Sequence, residues 1–212
     1  MKITILYDNT TTRADLEADW GFACAVEARG KRILFDTGAK GPILARNMEA
    51  LGVDPAGFDF AVISHDHWDH TGGLETVLER VSLPVYLPTP CAEPAGAKAV
   101  TSVSGPLTIA EGIHSTGTLA GIEQSLAVET EGGLAVIVGC SHPGVGAILD
   151  AASRFGEVRY LAGGLHGFRD FARLEPLDRF SPMHCTQAIG EIAERFPDKV
   201  EEGGAGRVLA FP

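Results

Sequence analysis

The chain has 212 residues, 45% of them hydrophobic and 21% charged, which is enough apolar material for one folded domain over residues 1–212 with a substantial core. Its 17 basic and 28 acidic side chains leave a net charge of −11, which disfavours nucleic acid as a partner and opposes anionic substrates unless bound cations offset the field. No apolar run is long enough to cross a bilayer, the amino terminus lacks the features of a signal peptide, and the four cysteines form no C-x-x-C pair, so a cytoplasmic protein without a disulfide framework is expected. In chain order, the spacing of apolar residues predicts strands at Ile3 to Tyr7, Phe22 to Ala28 and Arg32 to Phe35, with Gly30 in the hairpin between the second and third. A helix is predicted around Pro42 to Leu51, a strand at Phe60 to Ile63 and an amphipathic helix over Leu74 to Val81. The second half predicts strands at Val85 to Leu87, Leu107 to Ile109, Gly112 to Thr116, Ser125 to Glu129, Ala135 to Val138, Val158 to Ala162 and Val208 to Phe211. Helices are expected there at Val145 to Phe155 and Thr186 to Phe196. Strands followed by helices in both halves predict an α/β (α+β) chain of two sheets packed face to face with helices outside. Pro88 to Ala97, with its prolines and small residues, is expected to be a loop.

The residues with chemical potential lie just beyond predicted strands. Asp36 follows Ile33-Leu34-Phe35 and could accept a hydrogen bond from a ligand histidine, fixing its orientation from outside the ligand set; the alternative is a turn aspartate. His65-Asp66-His67-Trp68-Asp69-His70 follows the apolar run Phe58 to Ile63 and packs four potential metal ligands into six residues. Alternate residues of an extended chain share a side, so His65 and His67 could hold one ion, while a turn brings Asp69 and His70 round for a second. Val136-Ile137-Val138-Gly139-Cys140-Ser141-His142-Pro143-Gly144 has the same grammar, and His142 is placed to complete the first ligand set. Ser181-Pro182-Met183-His184-Cys185-Thr186 repeats it, making His184 the natural third ligand of the second set. His166, among the glycines of Gly163-Gly164-Leu165-His166-Gly167, reads as a substrate-facing acid, base or hydrogen-bond donor. His114 is expected to be an ordinary strand residue, and Cys24 a small buried apolar one.

The pattern His65, His67, Asp69, His70 resembles the H-x-H-x-D-H signature of the metallo-β-lactamase superfamily, and Leu34-Phe35-Asp36-Thr37-Gly38 resembles its strand-end aspartate motif. More narrowly, Asp8-Asn9-Thr10, Trp20-Gly21, Ser64-His65 through Gly73-Leu74, Gly139 to Gly144, Gly163 to His166 and His184-Cys185-Thr186 resemble the dihydropterin-ribofuranosylaminobenzene-phosphate synthase-like branch of metal-dependent hydrolases. The resemblance implies a four-layer αββα sandwich with a metal site at one edge. It also implies His65 and His67 on a first metal, and Asp69, His70 and His184 on a second. One departure stands out. Hydrolytic members usually carry a histidine in a glycine-rich turn and a bridging aspartate at a later strand end, whereas here Thr116 to Gly121 has no histidine and the later strand ends in Cys140. His142 then supplies the missing imidazole, with Cys140 near the bridging position, where a thiolate favours softer ions such as zinc.

These features lead to a metallo-hydrolase. One or two divalent transition-metal ions, zinc first and iron or manganese as alternatives, would activate water against a phosphoester or acyl-type bond of a small molecule. Asp69 would orient that water and His166 protonate the leaving group. The alternatives are a pterin-binding, synthase-like enzyme, a metal-dependent small-molecule binding protein without turnover, and a redox protein served by a separate electron-transfer partner. A homodimer is the commonest closed assembly and is open to this chain.

Overall fold

A computed structural model of the chain describes residues 1–89 and 91–212. Pro90, in the loop predicted at Pro88 to Ala97, lies outside the described residues. Among the described residues thirteen strands run in chain order: β1 (Lys2–Tyr7), β2 (Ala23–Ala28), β3 (Lys31–Phe35), β4 (Phe60–Val62), β5 (Pro84–Pro88), β6 (Ala99–Val103), β7 (Leu107–Ala110), β8 (Ile113–Ser115), β9 (Leu126–Thr130), β10 (Gly133–Val138), β11 (Val158–Gly164), β12 (Arg179–Met183) and β13 (Val208–Ala210). The helices are α1 (Gly41–Ala50), α2 (Trp68–Thr71), α3 (Leu74–Leu78), α4 (Val145–Ala152) and α5 (Ile189–Arg195).

The strands form two sheets, in the order β13-β1-β2-β3-β4-β5-β6 and β12-β11-β10-β9-β8-β7. Central strands are apolar on both faces because each sheet is covered on both sides. In β3, Ile33 and Phe35 point into the space between the sheets while Leu34 faces α1 and α3; in β10, Ala135 and Ile137 face inward and Leu134, Val136 and Val138 face α4 and α5. Three apolar layers result, one between the sheets and one beneath each helical face, so the molecule is an αββα sandwich. Helix α4 shows why these segments are helical: Val145, Ile148, Leu149 and Ala152 recur at helical spacing and are all buried. Helix α1 starts with Pro42 in its first turn, where no N–H is needed.

Several predicted boundaries shift. The hexapeptide is helical from Trp68 onward rather than wholly a loop. The helices predicted at Leu74 to Val81 and Val145 to Phe155 end early, with the last residues of each pattern in turns, and the helix predicted at Thr186 to Phe196 starts only at Ile189, with Thr186 to Ala188 in the turn before it. Two strands were not predicted, β6 and β12, and each lies at an edge of its sheet. Cys24 is buried between the sheets as expected. His114 sits in β8, hydrogen-bonded to Thr108 and Glu129 and stacked on Phe155 at 4.3 Å, a structural histidine.

Candidate metal centre

Six of the seven histidines converge where the strand ends of the two sheets meet. Ring centroids of His65 lie 4.5 Å from His67, 4.2 Å from His70 and 4.8 Å from His142. His70 is 5.0 Å from His184, and His142 is 5.2 Å from His166. The first sheet supplies the hexapeptide, which follows β4. The second supplies His142 after β10, His166 after β11 and His184 after β12. Burial pushes the imidazoles of His65 and His70 well below the usual histidine range and that of His142 below it, and the neighbouring imidazoles push the same way. Neutral rings with free lone pairs are what metal ligation requires.

The outer nitrogens are already engaged. Asp36, fully buried at the end of β3, accepts from the Ser64 backbone N–H at 2.6 Å, from Ser64 Oγ at 2.7 Å and from His70 Nδ1 at 2.7 Å. Ser64 Oγ is also 2.9 Å from His65 Nδ1. Asn9 Oδ1 lies 3.1 Å from His184 Nδ1, while Asn9 Nδ2 donates to the His184 carbonyl at 2.9 Å and Asp8 Oδ1 accepts from the His184 N–H at 2.9 Å. Partners of this kind orient imidazoles so that their Nε2 atoms face a common point.

The inward atoms form two donor groups: His65, Cys140 and His142 in one, and His70, Cys140 and His184 in the other, with the ligand atoms of each group all within 4.8 Å of one another. Cys140 belongs to both. His67 Nδ1 is 3.0 Å from His65 Nε2, close to the roughly 3.3 Å that separates two nitrogens at tetrahedral zinc distances. Asp69 Oδ2 faces the second group, 3.7 Å from His70 Nε2 and 3.4 Å from His184 Nε2. Burial alone would raise the Asp69 carboxyl, but His184 and His70 outweigh it and hold the group below the usual carboxylate range. Among the described residues, His142 Nε2 and His184 Nε2 are buried without a hydrogen-bond partner. Such orphaned nitrogens are costly unless something fills the space they face. The residues therefore fit one or two divalent ions. Hydrogen bonding to Cys185 and burial push the Cys140 thiol up, so ion binding there would release a proton.

Three anchors were not anticipated from sequence. Glu123 is buried in the turn before β9, and its Oε1 accepts from the N–H groups of Gly139, Cys140 and Ser141 at 3.2, 3.1 and 3.0 Å. Its Oε2 accepts from the His142 N–H at 2.8 Å. Gln124 bridges the sheets by donating to the Ile63 carbonyl at 2.9 Å. Trp20 donates its indole N–H to Asp69 Oδ2 at 2.8 Å. In sequence Glu123 and Gln124 are unremarked residues in a turn and Trp20 is noted only as part of the resemblance, and only the fold reveals the partner of each. Backbone conformation marks the same region: of six non-glycine residues with positive φ among the described residues, four are Asp36, Ser141, His166 and His184.

The architecture and the site together define a class, and residues 21–149 match the family description of the metallo-beta-lactamase superfamily, to which this chain belongs. A particular relative is 7,8-dihydropterin-6-methyl-4-(beta-D-ribofuranosyl)-aminobenzene-5'-phosphate synthase of Methanocaldococcus jannaschii, 24% identical over 261 aligned positions that span 90% of this chain and 88% of the relative. Among solved structures, Tm1679, a metal-dependent hydrolase of the beta-lactamase superfamily, superposes with a TM-score of 0.79 at 26% identity, covering 100% of this chain and 99% of the other. The metallo-beta-lactamase fold protein YhfI from Bacillus subtilis shares the fold at a TM-score of 0.68 and 13% identity, over 99% of both chains. No helix among the described residues is long and apolar enough to cross a membrane.

Proposed function

We propose that this chain is a metal-dependent hydrolase of a small molecule, cleaving a phosphoester or acyl-type bond. One observation carries the reading: two donor groups share Cys140, and in each group one imidazole nitrogen, His142 Nε2 or His184 Nε2, is shut off from solvent without a hydrogen-bond partner. In this reading His65, His67 and His142 hold one ion, and Asp69, His70 and His184 a second. Cys140 lies between them and favours zinc over iron or manganese. Bound there, the ions supply Lewis acidity and lower the pKa of water to about 7.

The chain's own residues do the rest. Asp69, kept ionised by its imidazole neighbours, is in place to accept a hydrogen bond from the attacking water and orient it. Exposed His166, whose ring lies 5.2 Å from that of His142, belongs to neither donor group and is free to give a proton to the leaving group. Asp36 carries no step but holds His70 in one ring orientation. A cavity of about 300 Å³ flanks the hexapeptide, lined by Asp66, Thr71 and Glu75 on one side and Cys91, Glu93 and Pro94 on the other, so the segment after β5 is a candidate determinant of specificity.

The likeness to the pterin-phosphate synthase over 90% of the chain favours a second reading, in which the same centre serves as template and Lewis acid for a pterin substrate. Metal analysis of protein purified without chelator, followed by phosphoester and thioester screens, tests the first. About two ions per chain and turnover abolished in His67→Ala, with circular dichroism unchanged, are expected. Full activity in that variant would refute the hydrolase mechanism, and turnover-free binding of a fluorescent pterin would shift the balance to the second reading.

A further inference from the structure

Trp20 is half exposed yet fixed at both ends of its environment. Its indole N–H donates to Asp69 Oδ2 at 2.8 Å, and its ring lies 5.2 Å from that of His184, tilted by 57°. The next residue, Gly21, donates its backbone N–H at 3.2 Å to Asn9 Oδ1, the same oxygen that engages His184 Nδ1. The loop that carries Trp20 is itself pinned by buried Asn47, whose Nδ2 donates to the carbonyls of Leu6 and Glu17 at 3.0 and 2.9 Å. The oxygen that Trp20 holds is the one facing His70 and His184. An indole N–H can only donate, so it orients a carboxylate without competing for a cation, and the oxygen retains a lone pair for one.

We infer that Trp20 is a positioning residue for Asp69 and sets the affinity of the second ion site, that of His70, His184, Cys140 and Asp69, relative to the first. This rests on the two-site reading above. Trp20→Phe keeps the ring and deletes the donor. Groups that orient a metal ligand from outside typically change metal affinity by about 10- to 100-fold when lost, so the second dissociation constant should rise by that factor while the first is unchanged.

Cobalt(II) binding, followed by its visible and thiolate charge-transfer absorption in metal-stripped protein, reads both steps without any substrate. The chain has two tryptophans, so Trp68→Phe leaves Trp20 as the sole indole with its contacts intact. Its emission should shift as the second equivalent of zinc binds and not as the first does. Two equivalents bound by Trp20→Phe with wild-type affinities would overturn the role of Trp20 alone. A wild-type protein that takes up a single equivalent would overturn it together with the two-site reading. Emission unmoved through both equivalents in the Trp68→Phe background would overturn it even if Trp20→Phe failed to fold.

Discussion

Four consecutive peptide N–H groups, from Gly139 to His142, converge on the carboxylate of Glu123 and fix the turn that presents Cys140 and His142. Burial raises this carboxyl to about 7, against the opposing pull of those N–H donors. Between its ordinary value of 4.5 and about 7 the folded protein keeps a proton that the unfolded chain has released. The contribution to stability is thus complete below that window and lost as pH rises through it. Urea unfolding of chelator-treated protein should show the excess stability of wild type over Glu123→Gln shrinking by roughly 1.4 kcal/mol per pH unit across the window. A constant difference from pH 5 to 8 would mean that Glu123 is ionised throughout. The hexapeptide could be read directly as a cluster of potential ligands because those side chains are neighbours in sequence. Glu123 and Gln124 could not, since each acts on a partner 16 to 61 residues away and nothing local distinguishes them from turn residues, and Trp20, although part of a recognised motif, acts on a partner 49 residues away that only the fold brings to it.

At the level of elements, the ends of β4 and β10 meet closely enough that Gly139 has no room for a side chain. A methyl group there would lie 2.2 Å from Ser64 Oγ and 3.2 Å from Asp36 Oδ2. Gly139→Ala is expected to destabilise by about 1–3 kcal/mol and to lower metal retention, because displacing Ser64 disturbs the partner of His65 and the lock on Asp36. Denaturant midpoints and metal content measure the two effects, and wild-type values for both would show that the strand ends can part freely. The central strands were legible because burial on both faces makes them unbroken apolar runs. Strands β6 and β12 were not. Ala-Val-Thr-Ser-Val of β6 is mostly exposed, and β12 contains Pro182, which an edge tolerates because one side of the strand needs no ladder donor.

At the level of the whole molecule, the donor groups straddle the two sheets, with His65 and His70 from one and Cys140, His142 and His184 from the other. Ions bound there would staple the sheets at one edge. A ligand present at 1,000 times its dissociation constant stabilises by about 4 kcal/mol, so chelation should lower the melting temperature on the order of 10 °C. Melting followed by circular dichroism before and after chelation tests this, and an unchanged midpoint would indicate that no ion spans the sheets. The backbone at Asp36, Ser141, His166 and His184 carries a further consequence. With φ of 55°, 63°, 47° and 53°, these positions hold a conformation that glycine or asparagine adopts more readily. In a population selected for heat tolerance alone, glycine at 166 would be among the first gains. On the proposed reading that gain would be inherited as the loss of the proton donor, so endurance and catalysis pull in opposite directions at this codon.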